Sequence, residues 1–490
     1  MLWAEHGKQK LKEKGVLFPD SGTGASLTAS TSCSGIETPI IAARIANVNI
    51  VPLWACEPNT ACQEEMLQNP NPDHCPESLY ENVASFLPRT EKERLFQIPP
   101  TNFVERRRLI MNTELEKTAW CIKAGHRTVI KRADIHVFGS PCVHDSAFGK
   151  GEGEQGEHAW VLVAIARQRQ ILQEPYWVSE NSHLQGDSCL RLLLGNTYDI
   201  ERYVINCNKQ GWRINRLRQY VVGRHKGLKM RIGYNLNSKQ LLVDCFERGC
   251  CYRFDCYLTS TTEELQSERQ WACNRPKVKA RHMLENPIGL EYAHDAVTSY
   301  EYCLTCGERE RLDQFLQSHP DFAWDLGQSS QRMLKSKLDG NLHTLIKGAG
   351  LLWVPSLQPP RWMTAPECFT AMGWPISNEH VQLLNVTCPF TRGSTGYPGR
   401  SRSSQTAQIG NSMHVNSIGV VMVLIMCEKS ERGMGWPVWP VSFTSQRTWW
   451  RAATLTTVMT HLYSVLRTRT SKLPRLRARQ CQLCRALRPC

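Results

Sequence analysis

Along the chain, short apolar runs ending in small or polar residues alternate with longer stretches of helical periodicity. "NIVPLWAC" (Asn49 to Cys56), "DIHVFGS" (Asp134 to Ser140), "YWVSEN" (Tyr176 to Asn181) and "RQYVVG" (Arg218 to Gly223) predict strands. "HAWVLVAIARQRQILQE" (His158 to Glu174) predicts a helix between two of them. Strand, helix and strand in series build a parallel sheet with crossover helices. In such sheets ligands sit beyond the carboxyl ends of the strands. From Arg224 to about Pro355 the pattern breaks, and cysteines, aromatics and basic residues crowd together without clean periodicity. Helical patterning returns at "TAPECFTAMGWP" (Thr364 to Pro375) and "NSMHVNSIGVVMVLIMCEK" (Asn411 to Lys429). The expected organisation is an N-terminal arm over 1–25, the main α/β domain over 26–223 and a second, irregular domain over 224–355. The chain then returns to the first domain over 356–429 and ends in a basic tail, expected to be disordered, over 430–490.

Composition narrows the partners. The chain has 490 residues, a net charge of +14 and a pI near 9.0. A basic excess of this size points to a polyanion, nucleic acid ahead of an anionic membrane. The 21 cysteines are spread along the chain, and the start, "MLWAEHGKQKLKEKG", has no apolar core of a secretory signal. This predicts a reducing compartment, the nucleus in a eukaryote and otherwise the cytoplasm. The longest apolar run, "IGVVMVLIMC" (Ile418 to Cys427), is shorter than the roughly 20 residues a spanning helix needs. It reads as a buried helix, and no membrane partner is expected.

Four stretches carry candidate chemistry. In "GSPCVHDSAFGKGEGEQG" (Gly139 to Gly156), Cys142 follows a proline at a strand end. A buried structural thiol is the ordinary fate of such a cysteine. Here small residues let a ligand come close, a Gly-rich polar loop follows that could close over a substrate, and Lys150 and His144 would favour a thiolate. In "VSENS", Glu180 ends an apolar strand beside Asn181; if buried beside a substrate it could carry a proton to a ring nitrogen. In "RINRLRQYVVG", Arg216 and Arg218 lie two apart, so a strand presents both on one face as fixed cations, or leaves both solvated. In "STSCSGIETPIIAARIA" (Ser30 to Ala46) a single glycine turn opens an apolar helix, and Glu57 ends the next strand in "WACEPN". This is a nucleotide-site arrangement without the G-x-G-x-x-G fingerprint, which argues against a dinucleotide. S-adenosylmethionine has no phosphates and makes no such demand.

A different reading is a zinc-stabilised nucleic-acid-binding module. "CLTC" (Cys303, Cys306) and "CQLC" (Cys481, Cys484) have C-x-x-C spacing, and Cys245, Cys250, Cys251, Cys256 and Cys273 lie upstream of the first pair. The two pairs are too far apart for one finger. No metal ligand is assigned, and a structural zinc in the second domain stays open.

Taken in order, the motifs resemble those of the cytosine-5 DNA methyltransferases, over roughly Ser26 to Lys429. "CSGIETP" resembles their first motif, the cofactor turn, with Cys33 where the family has Phe. "CEPN" resembles the second, and "YENVASF" the third, with Asn82 where the family usually has Asp. "GSPC" resembles the Pro-Cys motif and "SENS" the Glu-Asn motif. "INRLRQYVVG" resembles the Gln-x-Arg-x-Arg motif with Ile214 in place of Gln. "TAPECFTAMGWP" and "QIGNSM" (Gln408 to Met413) resemble the last two. The resemblance implies a Rossmann-like, mostly parallel sheet with flanking helices, plus a smaller irregular target-recognition domain. It implies S-adenosylmethionine as cofactor, held by Cys33, Ser34, Gly35, Ile36, Glu57, Pro58, Asn82, Asn411 and Ser412. Catalysis falls to Cys142 as nucleophile and to Glu180, Arg216 and Arg218. The expected reaction is methyl transfer to carbon 5 of a cytosine flipped out of double-stranded DNA, as base-modifying enzymes must do. An RNA-directed enzyme of the same fold ranks lower, as does a weakly active relative that only binds nucleic acid.

Overall fold

The computed structural model describes residues 3–16, 26–33, 35–69, 71–141, 158–228, 238–249, 253–285, 299–329, 335–336, 340–346, 350–384 and 402–431. Among them nine strands precede the second domain. These are β1 (Leu27–Ser32), β2 (Ile50–Cys56), β3 (Ser78–Tyr80), β4 (Thr118–Cys121), β5 (His126–Val129), β6 (Ile135–Phe138), β7 (Tyr176–Ser182), β8 (Tyr198–Asn206) and β9 (Leu217–His225). Seven of them form one sheet in the order β3-β2-β1-β6-β7-β9-β8. The first five of these run parallel, and β9 is antiparallel to both β7 and β8. The fold is thus the expected Rossmann-like, mostly parallel sheet with flanking helices. β4 and β5 form a hairpin of their own, and Ile122, in the turn between them, donates to the Leu79 carbonyl of the edge strand β3 at 2.7 Å.

The central strands have the character that burial on both faces requires. All four residues of β6 and all seven of β7 are buried, as expected where helices cover both sides of a parallel sheet. The helix Ala159–Leu172 crosses from β6 to β7 and buries Val161, Leu162, Val163, Ile165 and Ala166. The helix Thr38–Ile45 follows β1, with proline in its first turn where the missing N–H costs nothing. Its other side is covered by the last described helix, Val415–Glu431, where a Cβ on Gly419 would lie 3.4 Å from the Ala42 carbonyl.

That last helix also meets the N-terminus. The segment expected to be an arm contains the helix Trp3–Glu13, which buries Trp3, Ala4 and Leu11; the Trp3 ring fills the bare face of Gly419. The stretch Gln405–Glu428 is long and apolar enough to cross a membrane, yet 89% of its most apolar 18-residue window is buried inside the protein. It reads as core.

The irregular region has a small core of its own. β10 (Trp324–Asp325), β11 (Leu352–Val354) and β12 (Arg361–Trp362) pair antiparallel. Phe315 stacks on Trp324 with ring centres 4.3 Å apart, and Trp353, Trp362 and Cys303 complete the cluster. A buried knot joins this core to the main domain. Thr364 and Glu367 form a capping box on the helix Ala365–Ala371. Glu367 also takes two hydrogen bonds from Arg361, each 2.8 Å, and one from the Ser260 amide at 3.1 Å. The tail from 432 onward lies outside the described residues.

Candidate active site

The chain leaves β1 toward β2 and β3 on one side and later returns to β6 and β7 on the other. The switch point therefore lies at the carboxyl ends of β1 and β6, where the open crevice of such a sheet forms. Gly139, just past β6, donates to the Ser32 carbonyl at the end of β1 at 3.1 Å. Four strand ends meet here, and each carries candidate residues.

At the end of β1 the backbone turns through left-handed conformations, with φ of 51° at Cys33, 70° at Gly35 and 60° at Glu37. A Cβ at Gly35 would stand 3.3 Å from the Asn411 carbonyl, so the turn packs directly on the end of the helix Arg402–Asn411. Glu57, at the end of β2, accepts from the Gly35 amide at 3.0 Å and from the Asn59 amide at 2.9 Å. Asn59 in turn caps the helix Thr60–Gln68. Ile36 is buried and Pro58 exposed. Burial, and then Glu57, pushes the Cys33 thiol up, so it stays neutral. Asn82 accepts from the Ala84 amide at 2.9 Å and caps a short turn of helix, which is work that Asp does equally well. Ser412 donates through its hydroxyl to the Ile409 carbonyl at 2.9 Å. Ser34 lies outside the described residues.

At the end of β7, Glu180 stands beside Arg218, with Nε and Oε1 3.2 Å apart. The register explains the meeting: Glu180 pairs with Tyr220 and Ser182 with Arg218, so all of them line one region of the β7–β9 ladder. Burial first, then Glu180, pushes the Tyr220 hydroxyl well above its ordinary range. Asn181 donates to the Ser140 carbonyl at 2.7 Å and to its hydroxyl at 3.0 Å. The strand end that carries Glu180 is thereby tied to the residue two before Cys142. A Cβ at Gly139 would lie 3.6 Å from Glu180 Oε2 and 3.0 Å from the Cys33 carbonyl. Only glycine leaves this space, and the turn after β1, the Pro-Cys strand end and the glutamate converge on it. Cys142 itself lies outside the described residues, as do Lys150 and His144.

Arg216 is turned elsewhere. It is buried, and its Nη1 and Nη2 donate to the carbonyls of Leu345 at 2.8 Å and Ser412 at 2.9 Å. Burial, and then Arg218, lowers it to about 10, which leaves it charged at neutral pH. Ile214 is buried at a bridge to Leu342, and Asn215 and Leu342 donate to the carbonyls of Leu342 and Arg213 at 2.7 and 2.8 Å. The arginine motif is therefore paired with the strand-like piece 340–346. Two residues inside the quoted motifs take bonds that the motifs do not specify: Ser140 receives the Asn181 side chain, and Gln408 donates to the Ala61 carbonyl at 3.2 Å.

Among the described residues no group of three or more His, Cys, Asp or Glu gathers as a metal site. Cys303 lies with its sulfur 2.6 Å from that of Cys273, while Cys306 is exposed. Cys250, Cys251, Cys481 and Cys484 lie outside the described residues.

No family model and no curated protein matches the chain. Among solved structures, it is similar to the Dnmt2 methyltransferase of S. pombe, at 12% identity and TM-score 0.41, covering 82% of this chain and 98% of that one. The methyltransferase EhMeth of Entamoeba histolytica has 14% identity and TM-score 0.41, with coverage of 82% and 98%. A putative DNA modification methyltransferase encoded within an E. coli prophage has 13% identity and TM-score 0.39, with coverage of 81% and 98%.

Proposed function

We propose that the protein transfers a methyl group from S-adenosylmethionine to carbon 5 of a cytosine in DNA, through a covalent adduct to Cys142. One observation carries the reading. At the switch point of the sheet, the Glu180–Arg218 pair is tied through Asn181 to Ser140 and stands beside the Gly35–Glu57 turn. The turn fits the cofactor: it has glycine where the backbone needs positive φ, a carboxylate at the next strand end and no demand for phosphate contacts. Gly35, Ile36, Glu57 and the backbone at Asn411 and Ser412 would hold it. When bound, it supplies an electrophilic methyl group.

The chain's own residues do the rest. Carbon 5 of cytosine is not nucleophilic until a nucleophile adds to carbon 6, and the Cys142 thiolate forms that bond. Glu180 holds a proton at ring nitrogen 3 as charge develops there. Arg218 keeps Glu180 oriented and reaches the carbonyl oxygen of the base. After transfer, the carbon 5 proton leaves and the carbon–sulfur bond breaks, which restores the thiolate. The basic excess of the chain suits a polyanionic substrate.

The test is transfer of labelled methyl from S-adenosylmethionine to DNA and, in parallel, to RNA, followed by bisulfite mapping. Label at carbon 5 of cytosine in DNA, lost in Cys142→Ala while DNA binding persists, is the expected result. Label only in RNA would move the substrate to RNA. Turnover retained by Cys142→Ala would remove Cys142 from the mechanism.

A further inference from the structure

The residue that joins the two halves of this site is Arg216. Its two terminal nitrogens are bound to backbone carbonyls on segments far apart in sequence, Leu345 and Ser412. Its Nε has no hydrogen-bond partner among the described residues. Ser412 ends the turn after the helix Arg402–Asn411, and that turn is the surface on which Gly35 sits. The same helix sends Gln408 to the Ala61 carbonyl, just beyond Glu57. Two residues along the chain from Arg216, Arg218 faces Glu180. A planar guanidinium holds two fixed carbonyls with two separate nitrogens in one rigid fork, whereas an ammonium donates from a single freely rotating atom.

We infer that Arg216 is a positioning residue for the cofactor turn: it fixes the 411–412 backbone beneath Gly35 and so links cofactor binding to the strand that carries Arg218. The inference rests on the methyl-transfer reading above and deepens it. Arg216 touches neither the base nor the reacting atoms. It acts through Ser412 and Gly35, and the carbonyl dipoles of Leu345 and Ser412, rather than substrate, stabilise its charge.

The experiment is calorimetric titration of the full chain with S-adenosylhomocysteine, for the unsubstituted protein, Arg216→Met and Arg216→Lys. Binding of a duplex DNA and the thermal midpoint are measured on the same samples. Arg216→Met is expected to weaken S-adenosylhomocysteine about tenfold or more, with DNA affinity within about twofold of the unsubstituted chain. Arg216→Lys, which keeps the charge and reaches one carbonyl, falls between, and it carries the test if the methionine variant does not fold. Unchanged S-adenosylhomocysteine affinity in both variants overturns the inference, and a fall in turnover alone would return Arg216 to the base. Equal losses for both ligands overturn it too, since a merely structural arginine does that. No binding by the unsubstituted chain sinks the methyl-transfer reading and this inference together, whereas normal binding by all three proteins sinks the inference alone.

Discussion

Glu180 and Arg218 stand 3.2 Å apart across the β7–β9 ladder, on strands that run in opposite directions. The single antiparallel strand is what allows this. It brings the arginine that enters β9 to the same end of the sheet as the glutamate that leaves β7. Glu180→Gln keeps the shape and the neighbours but removes the carboxylate. It is expected to lower turnover by about a hundredfold or more, with the thermal midpoint nearly unchanged. Steady-state kinetics beside a melting curve would check this, and wild-type turnover would remove Glu180 from the chemistry.

Asn181 offers a graded test of the tie to the Pro-Cys strand end. Asn181→Ala deletes both donations to Ser140 and leaves buried acceptors without them. A stability loss of about 1–3 kcal/mol is expected, measured by urea unfolding. Turnover should fall further than that loss explains, because the segment leading to Cys142 loses its anchor. Loss of stability with full turnover at low temperature would show that the tie does not position the nucleophile.

Gly223 pairs with Trp177 across β9 and β7, and the fully buried tryptophan ring occupies the space where a Cβ would stand. Gly223→Ala therefore overpacks the sheet and should cost about 3 kcal/mol. The midpoint of denaturant unfolding reads this directly, and a change below about 0.5 kcal/mol would mean the ring can move aside.

His414 sets a pH limit. Burial first, and then the nearby Arg216 charge, lower its pKa to about 3, against a backbone hydrogen bond that raises it. His136, buried beside Arg169, is likewise held well below its ordinary range. The folded state keeps both rings neutral, while the unfolded chain takes protons below about pH 6.5. The stability they contribute is thus present above pH 6.5 and lost as pH falls below it, for His414 down to about 3, at up to about 1.4 kcal/mol per pH unit for each ring. His414→Asn should reduce the slope of unfolding free energy against pH over this window by about one proton. An unchanged slope would mean His414 is protonated in the fold.

Much of the frame was legible in the chain. β2, β6, β7 and β9 read as apolar runs ending in polar residues, because strands buried on both faces carry an unbroken hydrophobic signal. β8 did not stand out: it is an edge strand, and "YDIERYVIN" mixes charges into a half-exposed ladder. Motif order puts Glu180 and Arg218 in one site, but their ion pair needs the β7–β9 register and the Asn181–Ser140 tie needs the β6–β7 register, which no local pattern states. Arg216 illustrates the limit most clearly. Two arginines at period two look equivalent in sequence, and what separates them is a pair of backbone carbonyls, which leave no mark on residue type. The N-terminal helix was hidden for a related reason. Its apolar residues are few among lysines and glutamates, and its cover comes from residues far along the chain: the Phe246 ring lies on Gly7, and Trp3 lies on Gly419.

The contact of the helix Val415–Glu431 with both Trp3 and the helix after β1 bears on how the protein is made. While the ribosome is still reading the second domain, the outer side of the helix Thr38–Ile45 lacks this cover, and Trp3 lacks the Gly419 face that it closes against. Both wait for a segment synthesised close to the end of the described chain. The sheet can assemble early, but its flank can be sealed only after translation has passed that segment, so for most of its synthesis the nascent chain presents an apolar flank to chaperones.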